Sequence, residues 1–217
     1  MQLGTRWTSG DEPPAAVPAS LRPQIAAVDR ALPDDDLGQP RPRWTLTFLE
    51  GRPIAELGFG TGLNLMAVTL AHKGPGHLNY TSFEAFPMPA PDIARALAAF
   101  PETAGVAEPF LRQWEAGEAT LRFPNLTAEI VLGDARETLA GWEGKADAWF
   151  LDGFSPAKNP ELWSPGIMTE VARHTAPGGT FATYTAAGHV RRALADAGFT
   201  VTRAPGFGRK RHMTTGL

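Results

Sequence analysis

Three glycines on alternate positions form the stretch of the sequence best suited to bind a small molecule. Residues 54–57 lead into Gly58, Gly60 and Gly62, and the apolar stretch from Leu63 has the density of a buried helix. Glycine lacks a Cβ, so the turn can take positive φ and approach a ligand, while the helix start directs free N–H groups there. The pattern predicts a strand, turn and helix that hold a nucleotide-like cofactor. A ligand-free βα turn is the alternative.

Two carboxylates stand at the ends of later strand-like runs. Glu84 ends the run 79–84, where doubly wound folds bind a ribose through its hydroxyls, and Asp134 follows the run 127–132. Ligands of open parallel sheets bind outside the carboxyl ends of the strands, so both residues should face one cleft. We expect Glu84 to bind ribose and Asp134 to suit an adenine amino group. The alternatives are a solvated Glu and a helix N-cap Asp.

The densest functional signal follows the run 146–151. Asp152 stands at the strand tip, followed by Gly153, Phe154, Ser155 and Pro156. This loop resembles those with which amine-directed methyltransferases hold a nitrogen beside a sulfonium methyl group, a reaction in which positioning dominates. Asp152 would accept a hydrogen bond from the amine and stabilise the ammonium that forms, and Phe154 would stack on a substrate base. A structural turn would explain Gly153 and Pro156 only.

These residues need elements that bring them to one edge, and the chain supplies a strand and helix alternation. That rhythm predicts an α/β fold with a doubly wound, mostly parallel sheet and helices on both faces. The insertion 100–126 should contain a short helix, with Trp114 in the core, and a hairpin strand at 119–123 against 127–132. The predicted strands are 54–57, 79–84, 127–132, 146–151, 179–184 and 199–203, with a short last piece at 211–216, and the predicted helices are 63–73, 90–99, 135–141, 165–175 and 187–197.

Composition limits the class of protein. The chain has 217 residues, 43% of them hydrophobic, a formal net charge of −3 and no cysteine. The length suits one α/β domain, and the charge excludes a wholly basic nucleic-acid binder. Without cysteine there are no disulfides or thiolate metal sites, and the five histidines show no paired spacing, so we expect no metal. The sequence has neither a signal-peptide pattern nor a membrane-spanning run, so we expect a cytoplasmic location.

Several motifs together resemble the methyltransferase domain of the MnmC family, called MnmD when it stands alone. The Glu-x-Gly-x-Gly-x-Gly spacing resembles the first motif of S-adenosylmethionine-dependent methyltransferases, and the similarity covers about residues 53–213. The motifs are residues 56–64, 133–135, 150–160, 179–188 and 206–211. The resemblance implies a Rossmann-like methyltransferase fold at 53–217 behind a proline-rich extension at 1–52. It also implies S-adenosyl-L-methionine as cofactor. Bifunctional members of the family carry a flavin oxidase half as well; we expect none within this chain, so separate upstream modification enzymes are possible partners.

The family's reaction would be methylation of the exocyclic amine of 5-aminomethyl(-2-thio)uridine at the tRNA wobble position, so the expected partner is the tRNA anticodon region. The expected catalytic residues are Asp152 and Phe154. The expected RNA contacts are Lys158, Arg209, Lys210 and Arg211. The expected cofactor-binding residues are Glu56, Gly58, Gly60, Gly62, Asn64, Glu84, Asp134 and Ala135.

Two alternatives remain open. The chain departs from the family pattern before residue 53, where only residues 48–51 look related to the family's amino-terminal segment. That departure and the negative charge favour a methyltransferase for a small-molecule amine. The other alternative is a degenerate module that binds the cofactor without turnover.

Overall fold

A computed structural model describes residues 53–72, 76–153, 155–205 and 211–217 of the chain. The expected extension at 1–52 lies outside these residues, as do the predicted site residues Phe154, Arg209 and Lys210. No helix in the described ranges is long and apolar enough to cross a lipid bilayer.

The described residues form eight strands and six α-helices. The strands are β1 (Pro53–Leu57), β2 (Leu78–Glu84), β3 (Thr120–Phe123), β4 (Leu126–Leu132), β5 (Ala146–Leu151), β6 (Thr175–Thr183), β7 (Val201–Pro205) and β8 (His212–Gly216). The helices are α1 (Leu63–Ala71), α2 (Ala90–Leu97), α3 (Ala104–Glu115), α4 (Ala135–Thr138), α5 (Pro165–Arg173) and α6 (Gly188–Asp196). Short 3₁₀ helices cover Pro101–Thr103 and Glu161–Trp163.

One mixed sheet organises the molecule, in the order β3-β4-β2-β1-β5-β6-β8-β7. β1 pairs in parallel with both β2 and β5, β2 pairs in parallel with β4, and β5 pairs in parallel with β6. β3 forms an antiparallel hairpin with β4, as predicted. β8 runs antiparallel to both β6 and β7, between them. The predicted α/β fold with a mostly parallel sheet is confirmed.

The sheet separates two apolar cores because successive residues of each strand face opposite sides. Along β1, Ile54 packs into the core on the side of α1, α2 and α3, while Ala55 and Leu57 pack into the core beside α5 and α6. Glu56 has the same parity as Ile54, so the pleat directs its carboxyl toward α1. Trp114 packs against the first core, as predicted, with its ring stacked on Phe59 at 5.2 Å between centroids.

The structure moves several predicted boundaries. The predicted helix 135–141 is regular only over Ala135–Thr138, although the amides of Leu139 and Gly141 still donate to the carbonyls four residues earlier, and the chain turns at Gly141, a weak helix former. That turn places Trp142 edge-on against both Phe83 and Trp149. The helix in the insertion is longer than expected, at 12 residues, and β6 begins at Thr175 rather than at residue 179.

Candidate functional site

A cavity of about 440 Å³ opens at the carboxyl ends of β1, β2, β4 and β5. This volume falls within the range of roughly 300–1,000 Å³ that is typical of small-molecule sites. The carboxyl ends of the strands form the edge of the sheet at which open parallel sheets bind ligands. The lining residues are Gly58, Gly60, Phe83, Glu84, Ala85, Phe86, Asp134, Ala135, Arg136, Asp152, Gly153, Asn159, Glu161 and Leu162.

The three glycines of the first turn all have positive φ, at 86°, 55° and 73°, but for different reasons. A Cβ on Gly60 would meet no protein atom within 4 Å, so this position leaves space beside the cavity. A Cβ on Gly58 would lie 2.9 Å from the Cα of Gly153, and one on Gly62 would lie 2.9 Å from the ring of Phe59. A side chain at Gly58 or Gly62 would therefore strike the protein itself, whereas one at Gly60 would enter open space beside the cavity.

Glu84 connects the glycine turn to the end of β2. Its Oε2 accepts a hydrogen bond from the amide of Gly60 at 3.0 Å, and its Oε1 accepts one from the amide of Phe86 at 2.7 Å. The side chain is half-buried and lines the cavity. Each carboxylate oxygen has a second lone pair, so Glu84 can hold the turn and still accept hydrogen bonds from a ligand's hydroxyl groups.

Asp134 caps the short helix α4, because its Oδ1 accepts a hydrogen bond from the amide of Arg136 at 2.9 Å. The Arg136 side chain also binds this carboxylate, with Nη2 2.5 Å from Oδ2. The hydrogen bonds from the Arg136 side chain, followed by that from its amide, lower the pKa of Asp134 to about 2. Asp134 is therefore an ionised acceptor at the cavity wall, beside the buried Ala135.

Asp152 begins the loop after β5 and is exposed on the cavity wall. Its amide donates to the carbonyl of Leu57 at 3.3 Å, which keeps the loop start against the end of β1. The next carbonyl, that of Gly153, accepts a hydrogen bond from the Tyr184 hydroxyl at 3.0 Å. Burial, together with the charge of Asp152, raises the pKa of Tyr184 to about 12, so the hydroxyl stays a donor.

Glu56 and Asn64 are brought together below the turn, and neither belongs to the cavity lining. Glu56 is 1% exposed; its Oε1 accepts from Asn64 Nδ2 at 2.8 Å and its Oε2 from the Ser82 hydroxyl at 2.7 Å. Asn64 Nδ2 also donates to Asp152 Oδ2 at 3.0 Å. Burial raises the pKa of Glu56 to about 8, against the hydrogen bonds that lower it. The carboxyl is therefore mainly neutral at pH 7.

Two of the four predicted RNA contacts can be placed. Lys158 is exposed on the loop after β5, in the turn that Ser155 begins. Arg211 is exposed immediately before β8. Because β8 runs antiparallel to β6, with Thr214 opposite Thr183, its amino end lies at the same edge as the cavity. Lys158 and Arg211 therefore share that edge.

Sequence reasoning missed three residues that shape the site: Arg136, Tyr184 and Ser82. Arg136 has a local signal, because it follows an N-cap aspartate by two positions at a strand end. Tyr184 lies in the motif 179–188 but had no role assigned to it, and Ser82 gave no signal, since their partners Gly153 and Glu56 lie 31 and 26 positions away in the sequence.

The residues present suit an adenosine-containing cofactor. The open space at Gly60 admits a ligand against the main chain, Glu84 offers carboxylate acceptors for hydroxyl groups, and the ionised Asp134 offers one for an amino group. Apolar contact is available from Phe83 and Phe86, of which Phe86 is 84% exposed at the rim. This mixture of apolar walls and a few polar groups is usual for cofactor sites.

Comparisons with known proteins agree with this geometry. The chain is 45% identical over 171 residues to the tRNA 5-methylaminomethyl-2-thiouridine biosynthesis bifunctional protein MnmC of Chromohalobacter salexigens, and 46% identical over 172 residues to that of Pseudomonas paraeruginosa. Each match covers 75% of this chain but only 24% and 26% of the relative, so the chain spans about a quarter of their length. The predicted resemblance to the MnmC methyltransferase domain is confirmed.

Solved structures give the same fold. The crystal structure of MNMC2 from Aquifex aeolicus matches with a TM-score of 0.59 and 26% identity, over 76% of this chain and 52% of that one.

A family model described as S-adenosyl-L-methionine-dependent methyltransferase matches residues 101–217, more than half of the chain. The chain therefore belongs to the S-adenosyl-L-methionine-dependent methyltransferase family.

Proposed function

We propose that this chain methylates the exocyclic amine of 5-aminomethyl(-2-thio)uridine at the wobble position of tRNA. The observation that carries the proposal is the placement of Asp152, an exposed carboxylate on the wall of the cavity that the glycine turn and Glu84 also line. The name of the MnmC relatives, tRNA 5-methylaminomethyl-2-thiouridine biosynthesis bifunctional protein, supports the choice of substrate.

Gly58, Gly60, Glu84, Asp134 and Ala135 would hold the cofactor, because these five predicted residues line the cavity. When bound, S-adenosyl-L-methionine supplies an electrophilic methyl group on a sulfonium. Glu84 would orient the ribose and Asp134 the adenine amino group. Glu56 and Gly62 would act from beneath the turn rather than by contact with the cofactor, since they are absent from the cavity wall.

Asp152 would act on the amine. Its carboxylate accepts a hydrogen bond from an amine N–H, directs the nitrogen lone pair into the cavity, and stabilises the positive charge that develops on nitrogen. Holding the reacting atoms in line removes most of the entropic cost of bringing two molecules together, so this alignment is a large part of the catalysis. The Tyr184 hydrogen bond to the Gly153 carbonyl restrains the loop while this occurs.

Nucleoside mass analysis of tRNA tests the proposal. The protein and S-adenosyl-L-methionine are incubated with tRNA that carries unmethylated 5-aminomethyluridine, and the digest is examined for that nucleoside plus one methyl group. Loss of the parent nucleoside with gain of its N-methyl derivative is the expected result. Turnover of small amines without tRNA methylation would identify a small-molecule methyltransferase instead. Cofactor binding without any turnover would identify a degenerate module.

A further inference from the structure

One side-chain amide connects the buried centre of the sheet to the exposed loop after β5. Asn64 Nδ2 lies 2.8 Å from Glu56 Oε1 and 3.0 Å from Asp152 Oδ2. A primary amide nitrogen carries two hydrogens, so these two hydrogen bonds use its full donor capacity. The three residues come from β1, the first turn of α1 and the end of β5. They are therefore connected only in the folded protein.

The Glu56 end of this connection is a fixed anchor. Glu56 is 1% exposed within the central strand, and its second oxygen is held by Ser82, which is fully buried on β2. Because burial keeps this carboxyl mainly neutral at pH 7, Asp152 is the one full negative charge that the amide contacts. The amide therefore joins a rigid neutral group to a charged one without forcing two carboxylates together.

The Asp152 end is the part whose orientation matters to the proposed chemistry. Asp152 is exposed on the cavity wall, and an exposed side chain at the start of a loop ordinarily samples several rotamers. The hydrogen bond from Asn64 to Oδ2 favours the rotamers that keep this contact. A displacement of about 1 Å in a positioning group can lower a rate by about 100-fold, so this selection matters to catalysis.

We propose that Asn64 is a positioning residue for methyl transfer: its amide, anchored on Glu56, holds the Asp152 carboxylate in the orientation that receives the substrate amine. The proposal rests on the proposed function of Asp152 as the group that contacts the amine. Because both amide hydrogens are committed, the expected contact of Asn64 with the cofactor would have to use its carbonyl oxygen, and that expectation stands beside this proposal.

A double-mutant cycle tests the proposal. Asn64→Leu, Asp152→Asn and the double variant are compared with the wild-type protein for kcat at saturating cofactor and acceptor, and for cofactor Kd by calorimetry. If Asn64 acts through Asp152, Asn64→Leu alone should lower kcat by about 10- to 100-fold with cofactor Kd within about threefold. In the Asp152→Asn background it should cost less than about threefold more, because coupled residues are not additive.

Thr103→Val is the matched control. It removes one buried side-chain hydrogen bond, from the Thr103 hydroxyl to the carbonyl of Phe100 at 2.7 Å, on the 3₁₀ helix before α3 and outside the connection of Glu56, Asn64 and Asp152. We expect it to lower the free energy of unfolding while kcat stays within about threefold of wild type. Equal kcat losses in Thr103→Val and Asn64→Leu would show that damage to the core, rather than orientation of Asp152, slows the reaction.

Three other outcomes would overturn the proposal: additive effects in the cycle, a kcat loss that follows cofactor Kd, or a crystal structure of Asn64→Leu in which Asp152 keeps its orientation. The crystal structure decides the point independently of turnover. Wild-type protein that fails to methylate tRNA but methylates a small amine would end the proposed function alone, because the cycle can then be measured with that amine.

Discussion

Asp152 is the residue on which the proposed chemistry depends most, and Asp152→Asn keeps its size while it removes the charge. We expect the chemical step to slow by about 100- to 1,000-fold, as for other preorganised electrostatic groups, with little change in cofactor Kd. Single-turnover methylation beside a cofactor titration measures both quantities. Asp196→Asn, at the exposed end of α6, is the control and should react at the wild-type rate. Near-normal turnover of Asp152→Asn would assign the carboxylate a different role.

Glu56 should make stability depend on pH. Burial raises its pKa from 4.5 to about 8, so between these values the folded state keeps a proton that the unfolded state has lost. The Glu56 contribution therefore lowers the free energy of unfolding as pH rises through this range, by up to about 1.4 kcal/mol per pH unit, and is constant above and below it.

Glu56→Gln, which mimics the neutral acid, should gain stability relative to wild type as pH rises. Urea unfolding of both proteins at several pH values between 4.5 and about 8 measures this gain. If the free energies of unfolding of the two proteins change in parallel with pH, Glu56 is ionised in the folded protein.

At the scale of the element, the three glycines of the turn meet two different requirements. Gly58 and Gly62 avoid clashes within the protein, and Gly60 leaves open space beside the cavity. Gly60→Val should abolish cofactor binding, because the new side chain occupies the only open position of the three. A bound ligand at ~100 times its Kd stabilises by ~2.7 kcal/mol, which is a shift in Tm of roughly 5–11 °C for a domain of this size. The variant should lose that shift in a thermal melt with added cofactor.

Gly117→Val is the matched control for the glycine turn. Gly117 is also exposed, has φ of 78°, and would direct a Cβ into open space, but it lies in the connection between α3 and β3. The strain of a side chain at positive φ should lower the Tm of both variants alike. Only Gly60→Val should lose the cofactor-induced shift. If both variants keep that shift, Gly60 does not lie against the cofactor.

The sequence predicts helices and strands well where the apolar pattern lies within one short segment. It predicts less well which strands pair, because paired strands can lie far apart in the sequence. The alternation of β1, α1 and β2 follows from apolar runs separated by glycine, and these elements lie within a residue or two of the predicted bounds. The position of β8 between β6 and β7 could not be deduced, because strand order depends on contacts far apart in the sequence. The contact between Asn64 and Asp152, 88 positions apart, was hidden for the same reason.

At the scale of the whole molecule, an RNA substrate must be attracted by local charge, because the net charge is −3. Lys158 and Arg211 lie at the cavity edge of the sheet, and reversing either to Glu should weaken tRNA binding. Each lost phosphate contact should reduce the slope of log K against log salt by about 1. Lys145→Glu is the control, since Lys145 precedes β5 at the opposite edge of the sheet. Binding titrations over a salt series measure the slopes, and equal effects of all three reversals would place the RNA elsewhere.

The close contact of Gly58 with Gly153 has a consequence for how such an enzyme can diversify. A Cβ on Gly58 would lie 2.9 Å from the Cα of Gly153. The main chain of the glycine turn therefore packs directly against the loop that begins at Asp152, with no side chain between them. Under the proposed function, the backbone then sets the spacing between methyl donor and acceptor. Mutations farther along that loop can change which amine is admitted without altering this spacing. A new acceptor can therefore be acquired in small evolutionary steps, each of which retains a working donor site.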